Sequence, residues 1–302
     1  MKIASNKLID LFRYYETELS VLYDKTEIVA LFELVCESYL RLTKQGVKQQ
    51  WEENVNQSDV LKIYDACKEL KKEIPIQYIL KQAFFYDSFF YVNPSVLIPR
   101  PETEELVDLV ISDYNQKKEL VVQSPTLHPP VSILDIGTGS GCIPITLKKN
   151  MIQASISALD ISAEALQVAK KNAHSHQVEI IFLQQNILNI EHSTFPQTMF
   201  DVIISNPPYV LKSEALQMTQ QVVGHEPHLA LFVKDNAPIV FYKHIIDFCE
   251  KQLKSKGTLY FELNPLYAEA VNNYAVESKL FIFSAILTDM SGKQRFLKAQ
   301  RL

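Results

Sequence analysis

Asp135-Ile136-Gly137-Thr138-Gly139-Ser140-Gly141 is the stretch that decides the fold. An apolar run over 131–136 precedes it, and a helical pattern to about residue 150 follows. The chain has seven glycines in 302 residues, and three of them fall between positions 137 and 141. A sequence that uses glycine so sparingly and then clusters it needs backbone geometry there that other residues avoid. A dinucleotide fingerprint, GxGxxG, would place its third glycine at 142. Position 142 is Cys, and the spacing is DxGxGxG instead. Asp160 ends the next strand, where an acid accepts the hydroxyls of a ribose.

Outward from this loop, strands and helices alternate. Strands are expected over 155–160, 179–183, 201–205, 258–263, 281–288 and 295–300. Helices are expected over 163–173, 238–255 and 265–279. The last two strands join through 290–293 as a hairpin. Such alternation gives a mostly parallel, doubly wound α/β sheet.

Residues 1–75 carry helical stripes instead: Leu8, Leu11, Phe12, Tyr15 and Leu19, then Ile28, Leu31, Phe32, Val35 and Tyr39. Asp24 with Glu27 opens the second helix in capping-box fashion. A further helix is expected after Ser58. This reads as a small N-terminal helical bundle. Residues 76–98 are rich in aromatic strand formers, with a turn at Asp87-Ser88, and read as a β-hairpin linker. Pro101 suits the first position of a helix running to about 116, and Glu102, Glu104 and Glu105 suit its positive end. Residues 117–130 read as a loop. The third domain is then 99–302.

The formal net charge is −5, and Lys and Arg are scattered among acids, so stable nucleic-acid binding is not expected. The nearest basic run, Lys68–Lys72, is interrupted by Glu69. Four cysteines lie far apart with no CxxC pair, which points to reduced thiols in a cytoplasmic protein. His225 and His228 flank Glu226-Pro227, and proline breaks the helix two metal ligands would share, so no metal site is expected. Charges near the N-terminus interrupt any signal sequence, and no apolar stretch reaches the ~18 residues of a membrane span. A monomer is expected.

The DxGxGxG loop resembles motif I of the class I S-adenosylmethionine (SAM)-dependent methyltransferases. That resemblance implies a Rossmann-like, mostly parallel seven-stranded sheet, which the closing hairpin suits. It also implies SAM as cofactor, held by Asp135, Gly137, Thr138, Gly139, Ser140, Gly141 and Asn206 with Asp160 on the ribose. The strand at 201–205 ends in Asn206-Pro207-Pro208-Tyr209. Two prolines fix two φ angles and remove two donors. An amide or exocyclic nitrogen is a poor nucleophile because its lone pair is delocalised. The Asn206 side-chain oxygen and the Pro207 carbonyl can accept its two N–H groups, and Tyr209 can pack on its plane. Catalysis by Asn206, Pro207, Pro208 and Tyr209 is then positioning and charge stabilisation.

NPPY after such a loop occurs in nucleic-acid and protein N-methyltransferases alike. Upstream, Pro75-Ile-Gln-Tyr-Ile-Leu80 and Val96-Leu-Ile-Pro-Arg-Pro-Glu-Thr-Glu104 resemble the HemK/PrmC family of peptide-chain release factor N5-glutamine methyltransferases. Glu226-Pro227, Ala230-Leu231 and the run from Asp289 to Arg295 resemble it too. The similarity covers roughly 70–302. It implies methylation of the glutamine in the GGQ loop of class 1 release factors, with the helical bundle gripping the release factor. It also implies that residues 98–104, with Arg100 and Pro101, border the cofactor pocket, and that Asn186-Ile187 sit near the adenine. The family usually has Asp at 186. Its glycines at 81 and 87 are Lys81 and Asp87 here, and Phe232–Asp235 replaces a glycine-rich turn, so loop shape is at issue more than chemistry. Two other readings are a nucleic-acid amino methyltransferase acting on adenine or guanine, and a SAM-binding scaffold without activity.

Overall fold

The computed structural model describes residues 4–121, 130–190 and 199–302. They form two compact units, one of residues 1–82 with 219–225, the other of 83–218 with 226–302.

The first unit is helical: α1 (Leu8–Leu19), α2 (Lys25–Leu40), α3 (Lys44–Gln49), α4 (Gln57–Leu70) and α5 (Ile76–Leu80). The apolar stripes meet, burying Leu11, Tyr15, Phe32, Val35, Ile63 and Cys67 in one cluster. Buried hydroxyls find partners, as Tyr15 donates to the Ile63 carbonyl at 2.6 Å. Asp24 caps α2 by accepting from the Glu27 N–H at 2.9 Å, as its spacing requires. The start expected after Ser58 lies earlier, because Asn56 accepts from the Asp59 N–H and lets α4 begin at Gln57. Residues 76–80, expected in the linker, are helical and belong to this unit.

The second unit opens with a hairpin, β1 (Ala83–Phe85) and β2 (Ser88–Phe90). Its turn is Tyr86-Asp87, both at positive φ (46° and 57°), one residue before the expected position. Phe85 and Phe90 enter the core of this unit, so the hairpin belongs to the second unit rather than to a separate linker. Then come α6 (Pro101–Val121), β3 (Ser132–Ile136), α7 (Cys142–Asn150), β4 (Ser155–Asp160), α8 (Ala163–Ser175), β5 (Ile181–Gln184), β6 (Phe200–Ser205) and β7 (Val210–Leu211). The loop expected over 117–130 shrinks to residues outside α6, and 122–129 lie outside the described residues. After α9 (Gln220–His225), part of the first unit, follow α10 (His228–Leu231), β8 (Phe232–Val233), α11 (Val240–Gln252), β9 (Leu253–Glu262), α12 (Ala268–Glu277), β10 (Phe281–Thr288) and β11 (Gln294–Arg301).

Seven strands pair in the order β10-β11-β9-β6-β3-β4-β5. Only β11 opposes its neighbours, so the sheet is mostly parallel, as expected. Alternate residues feed two cores: Leu134, Ile203 and Phe261 face one, with α11 and α12, while Ile133, Val202 and Tyr260 face the other. From the central β3 the chain first winds toward β5, then returns to place β6 on the other flank. The crevice at the carboxyl ends of β3, β4 and β6 is where such sheets bind ligands.

Candidate active site

That crevice holds a cavity of about 530 Å³. Gly137 and Gly139, after β3, and Asp160, ending β4, line it, as do Asn186 and Ile187 after β5 and Asn206, Pro207 and Pro208 after β6. Gly139 sits at φ +52° with open space where a Cβ would stand. A side chain there would be both strained and in the cavity.

The Asp160 carboxylate accepts from the Gly139 N–H and the Ser162 N–H, each at 2.9 Å. It therefore locks the glycine loop against the start of α8. Burial pushes its pKa above the usual carboxylate value, and the backbone donors pull the other way. Each oxygen keeps a lone pair beyond these bonds, enough to receive a diol. Asn186 accepts from the Leu188 N–H at 3.0 Å and so caps the 3₁₀ turn Ile187–Asn189. Ile187, Leu229, Phe241 and Ile245 supply an apolar wall. An open glycine cradle, a carboxylate and an apolar slab fit the amino-acid, ribose and adenine parts of SAM.

The NPPY turn is held from behind. The Asn206 amide donates from Nδ2 to the Thr103 hydroxyl at 3.1 Å. Thr103 donates to Glu262 Oε2 at 2.7 Å, and the Tyr209 hydroxyl donates to Glu262 Oε1 at 3.0 Å. Asn264 Nδ2 donates to the Tyr209 carbonyl at 3.1 Å. Thr103 and Glu262 are 3% and 1% exposed. Among the described residues, Asn206 Oδ1 takes no hydrogen bond, so it is left as an acceptor at the cavity.

Relatives match this chain nearly end to end. A release factor glutamine methyltransferase of Flavobacterium psychrophilum is 38% identical over 293 residues, covering 95% of this chain and 98% of its own. One of Bacteroides thetaiotaomicron is 36% identical with the same coverages. The chain belongs to the release factor glutamine methyltransferase family. A family model described as Methyltransferase small domain also matches residues 119–246. Among solved structures, a ribosomal protein L11 methylase of Lactobacillus delbrueckii aligns with 70% of this chain and 83% of its own, at 20% identity and a TM-score of 0.45.

Several residues expected to touch the cofactor lie outside the lining of this cavity. Asp135 is fully buried at the end of β3 beneath the loop. Thr138 is buried, and the Ser140 carbonyl accepts from Asn172 on α8 at 2.8 Å. Gly141 begins α7, where a Cβ would stand 3.1 Å from that of Ala169, so it allows close helix packing. Pro101 starts α6. Arg100 turns to Glu226, pairing at 2.5 Å, and Glu226 also accepts from the Ile98 N–H. This pair ties two segments whose neighbours do line the cavity, Ser95–Leu97 and Pro227–Ala230. Tyr209 lies outside the lining, its hydroxyl spent on Glu262.

The run from Asp289 to Arg295 closes the β10–β11 turn. The Ser291 hydroxyl, the Lys293 N–H and Arg295 hold the Asp289 carboxyl down at about 2. Glu262 is not among the residues expected at the site, and Thr103 is expected there only as part of the segment 98–104. Thr103 stood in a quoted motif, but as part of a helix start; Glu262 carried no signal beyond ending a strand. All four cysteines are buried free thiols. Among the described residues no His, Cys, Asp and Glu cluster could hold a metal, and no helix is long and apolar enough to cross a membrane.

Proposed function

We propose that this chain transfers a methyl group from SAM to the side-chain amide nitrogen, N5, of the glutamine in the GGQ loop of class 1 release factors. The observation that carries the reading is the Asn206 amide, tied by its nitrogen and offering its oxygen beside a cavity that fits the cofactor. When bound, SAM supplies an electrophilic methyl on a sulfonium. Gly137, Gly139, Asp160 and the apolar wall around Ile187 are the residues that hold it.

Asn206 Oδ1 and the Pro207 carbonyl each accept one N–H of the incoming glutamine amide. That grip turns the nitrogen lone pair toward the cavity and favours positive charge developing on nitrogen. The prolines make the grip rigid, since their φ angles are fixed. Tyr209, anchored through its hydroxyl, presents its ring rather than a base. Burial among carboxylates raises its pKa far above the ordinary tyrosine value, so it stays a neutral donor. The chain acts as a cytoplasmic monomer, and its helical unit recognises the release factor.

Incubation of a class 1 release factor with the protein and SAM, followed by mass spectrometry of the GGQ peptide, is expected to show one added methyl on glutamine. An unmodified peptide would sink the reading. Asn206→Ala is expected to lower kcat roughly 10²-fold, as loss of one charge-stabilising group does. Its SAM affinity stays close to wild type. A matching loss of SAM binding would assign Asn206 to the cofactor instead.

A further inference from the structure

The hydroxyl of Thr103 has one hydrogen, and its two neighbours decide where that hydrogen goes. Glu262 Oε2 lies 2.7 Å away and Asn206 Nδ2 3.1 Å away. An ionised carboxylate only accepts. Thr103 therefore donates to Glu262 and has only a lone pair left for Asn206. The asparagine must meet it with its NH2 group, which leaves Oδ1 as the free end.

We infer that Glu262, acting through Thr103, is a positioning residue that sets the orientation of the Asn206 amide and so keeps an acceptor, not a donor, ready for the substrate nitrogen. The inference rests on the reading of Asn206 under Proposed function. An asparagine turned by 180° would offer N–H to N–H and could not grip an amide nitrogen. The two ends of the amide are nearly equal in shape, so packing alone would not choose between them. A hydrogen-bond relay with a fixed polarity does choose.

The chemistry around Glu262 supports a functional role. A carboxylate that is 1% exposed is costly to bury, and its hydrogen-bonding partners here are two neutral hydroxyls, Thr103 and Tyr209. An apolar pair would join β9 to α6 without that cost. Burial raises the Glu262 pKa above the ordinary carboxylate value; donation from Thr103 and Tyr209 and the charge of Arg295 on β11 pull back toward ionisation, and Glu102 on α6 opposes them. The Tyr242 hydroxyl on α11 donates to the Glu262 backbone carbonyl at 3.0 Å, fixing the strand end itself. Protonation of Glu262 would allow it to donate to Thr103, which could then donate onward to Asn206 Oδ1. The relay would reverse, and activity would fall on the acid side.

The test combines kinetics with a spectroscopic readout that needs no methylation. Thr103→Val removes the relay with little change of shape, Thr103→Ser restores a hydroxyl, and Glu262→Gln can donate where the carboxylate cannot. Thr103→Val and Glu262→Gln are expected to lower kcat on the release factor roughly 10- to 100-fold. The SAM Kd should stay within about twofold, given that neither side chain lines the cavity. Thr103→Ser should recover most of the rate. In ¹⁵N-asparagine-labelled protein without ligand, the Asn206 side-chain NH2 resonances (assigned with Asn206→Asp) should move in Thr103→Val and Glu262→Gln and return in Thr103→Ser.

Unmoved Asn206 resonances in Thr103→Val would overturn the relay. So would a kcat loss in that variant that Thr103→Ser fails to recover. If wild-type protein leaves release factors unmodified while the resonances behave as expected, the substrate reading fails and the relay stands.

Discussion

Asp135 shows how one residue can support the glycine loop without touching the cavity. Its carboxyl is fully buried, and desolvation pushes its pKa up to about 7, offset only in part by the neighbouring Thr138 hydroxyl. The unfolded chain gives up that proton near the ordinary value of 3.8, the folded chain only near 7. The folded state is thus free of penalty below about pH 4, increasingly penalised up to about 7, and constantly penalised above. The span corresponds to roughly 4 kcal/mol. Asp135→Asn removes the titration, so its melting temperature relative to wild type should climb between pH 4 and pH 7 and then level off. A pH-independent difference in thermal melts would show that the carboxyl titrates normally. The same scale explains the missing glycines. Lys81 and Asp87 stand where the family has glycine, yet both keep positive φ, 56° and 57°. Lys81 still closes α5, its N–H bonded to the Gln77 carbonyl. The loop shapes are kept, and a strain of about 1 kcal/mol per position is accepted.

At the scale of elements, the Arg100–Glu226 pair joins the segment before α6 to the segment before α10, 126 residues apart. Glu226 is 3% exposed, so removal of its partner leaves a buried charge. Arg100→Met should lower stability by roughly 2 kcal/mol, discounted because the arginine is a third exposed. The double variant Arg100→Met with Glu226→Gln should recover part of that loss in a denaturation cycle. Both variants should bind SAM more weakly, because the tied segments carry Val96, Leu97 and Ala230 of the cavity wall. Additive losses would mean the two side chains act independently. The family resemblance implies Arg100 beside the cofactor because a matched motif marks a position, not the direction of a side chain. The same limit hid the relay: Thr103 and Glu262 lie 159 residues apart, and they meet where α6 packs on the end of β9. What could be read was local. The glycine loop, the NPPY turn and the alternating strands are each specified by residues within a few positions of one another. The excursion of 219–225 into the helical unit depends on distant partners, Tyr23 and Lys72, and left no periodic trace.

For the whole molecule, the competing substrate class is nucleic acid, and charge supplies the test between the two. The net charge is −5, and the basic run in the helical unit is neutralised locally. Lys68 pairs with Asp65 at 3.8 Å, Lys71 with Glu18 at 2.6 Å and Lys72 with Glu69 at 2.7 Å. These exposed pairs add little stability, and each sets an acid beside a lysine of the run. A protein making six or more phosphate contacts loses roughly 10³- to 10⁵-fold in affinity between 50 and 200 mM salt. This chain should show no such dependence. In filter binding at 50 mM salt, duplex DNA and ribosomal RNA fragments should bind no tighter than about 10⁻⁴ M. Methylation of a release factor should proceed at the same rate with either polyanion in excess. Replacing Lys68, Lys71 and Lys72 together by Gln should leave both measurements unchanged. Saturable binding with a steep salt slope, lost in the triple variant, would instead make the helical unit a nucleic-acid platform and return the NPPY turn to a base amine.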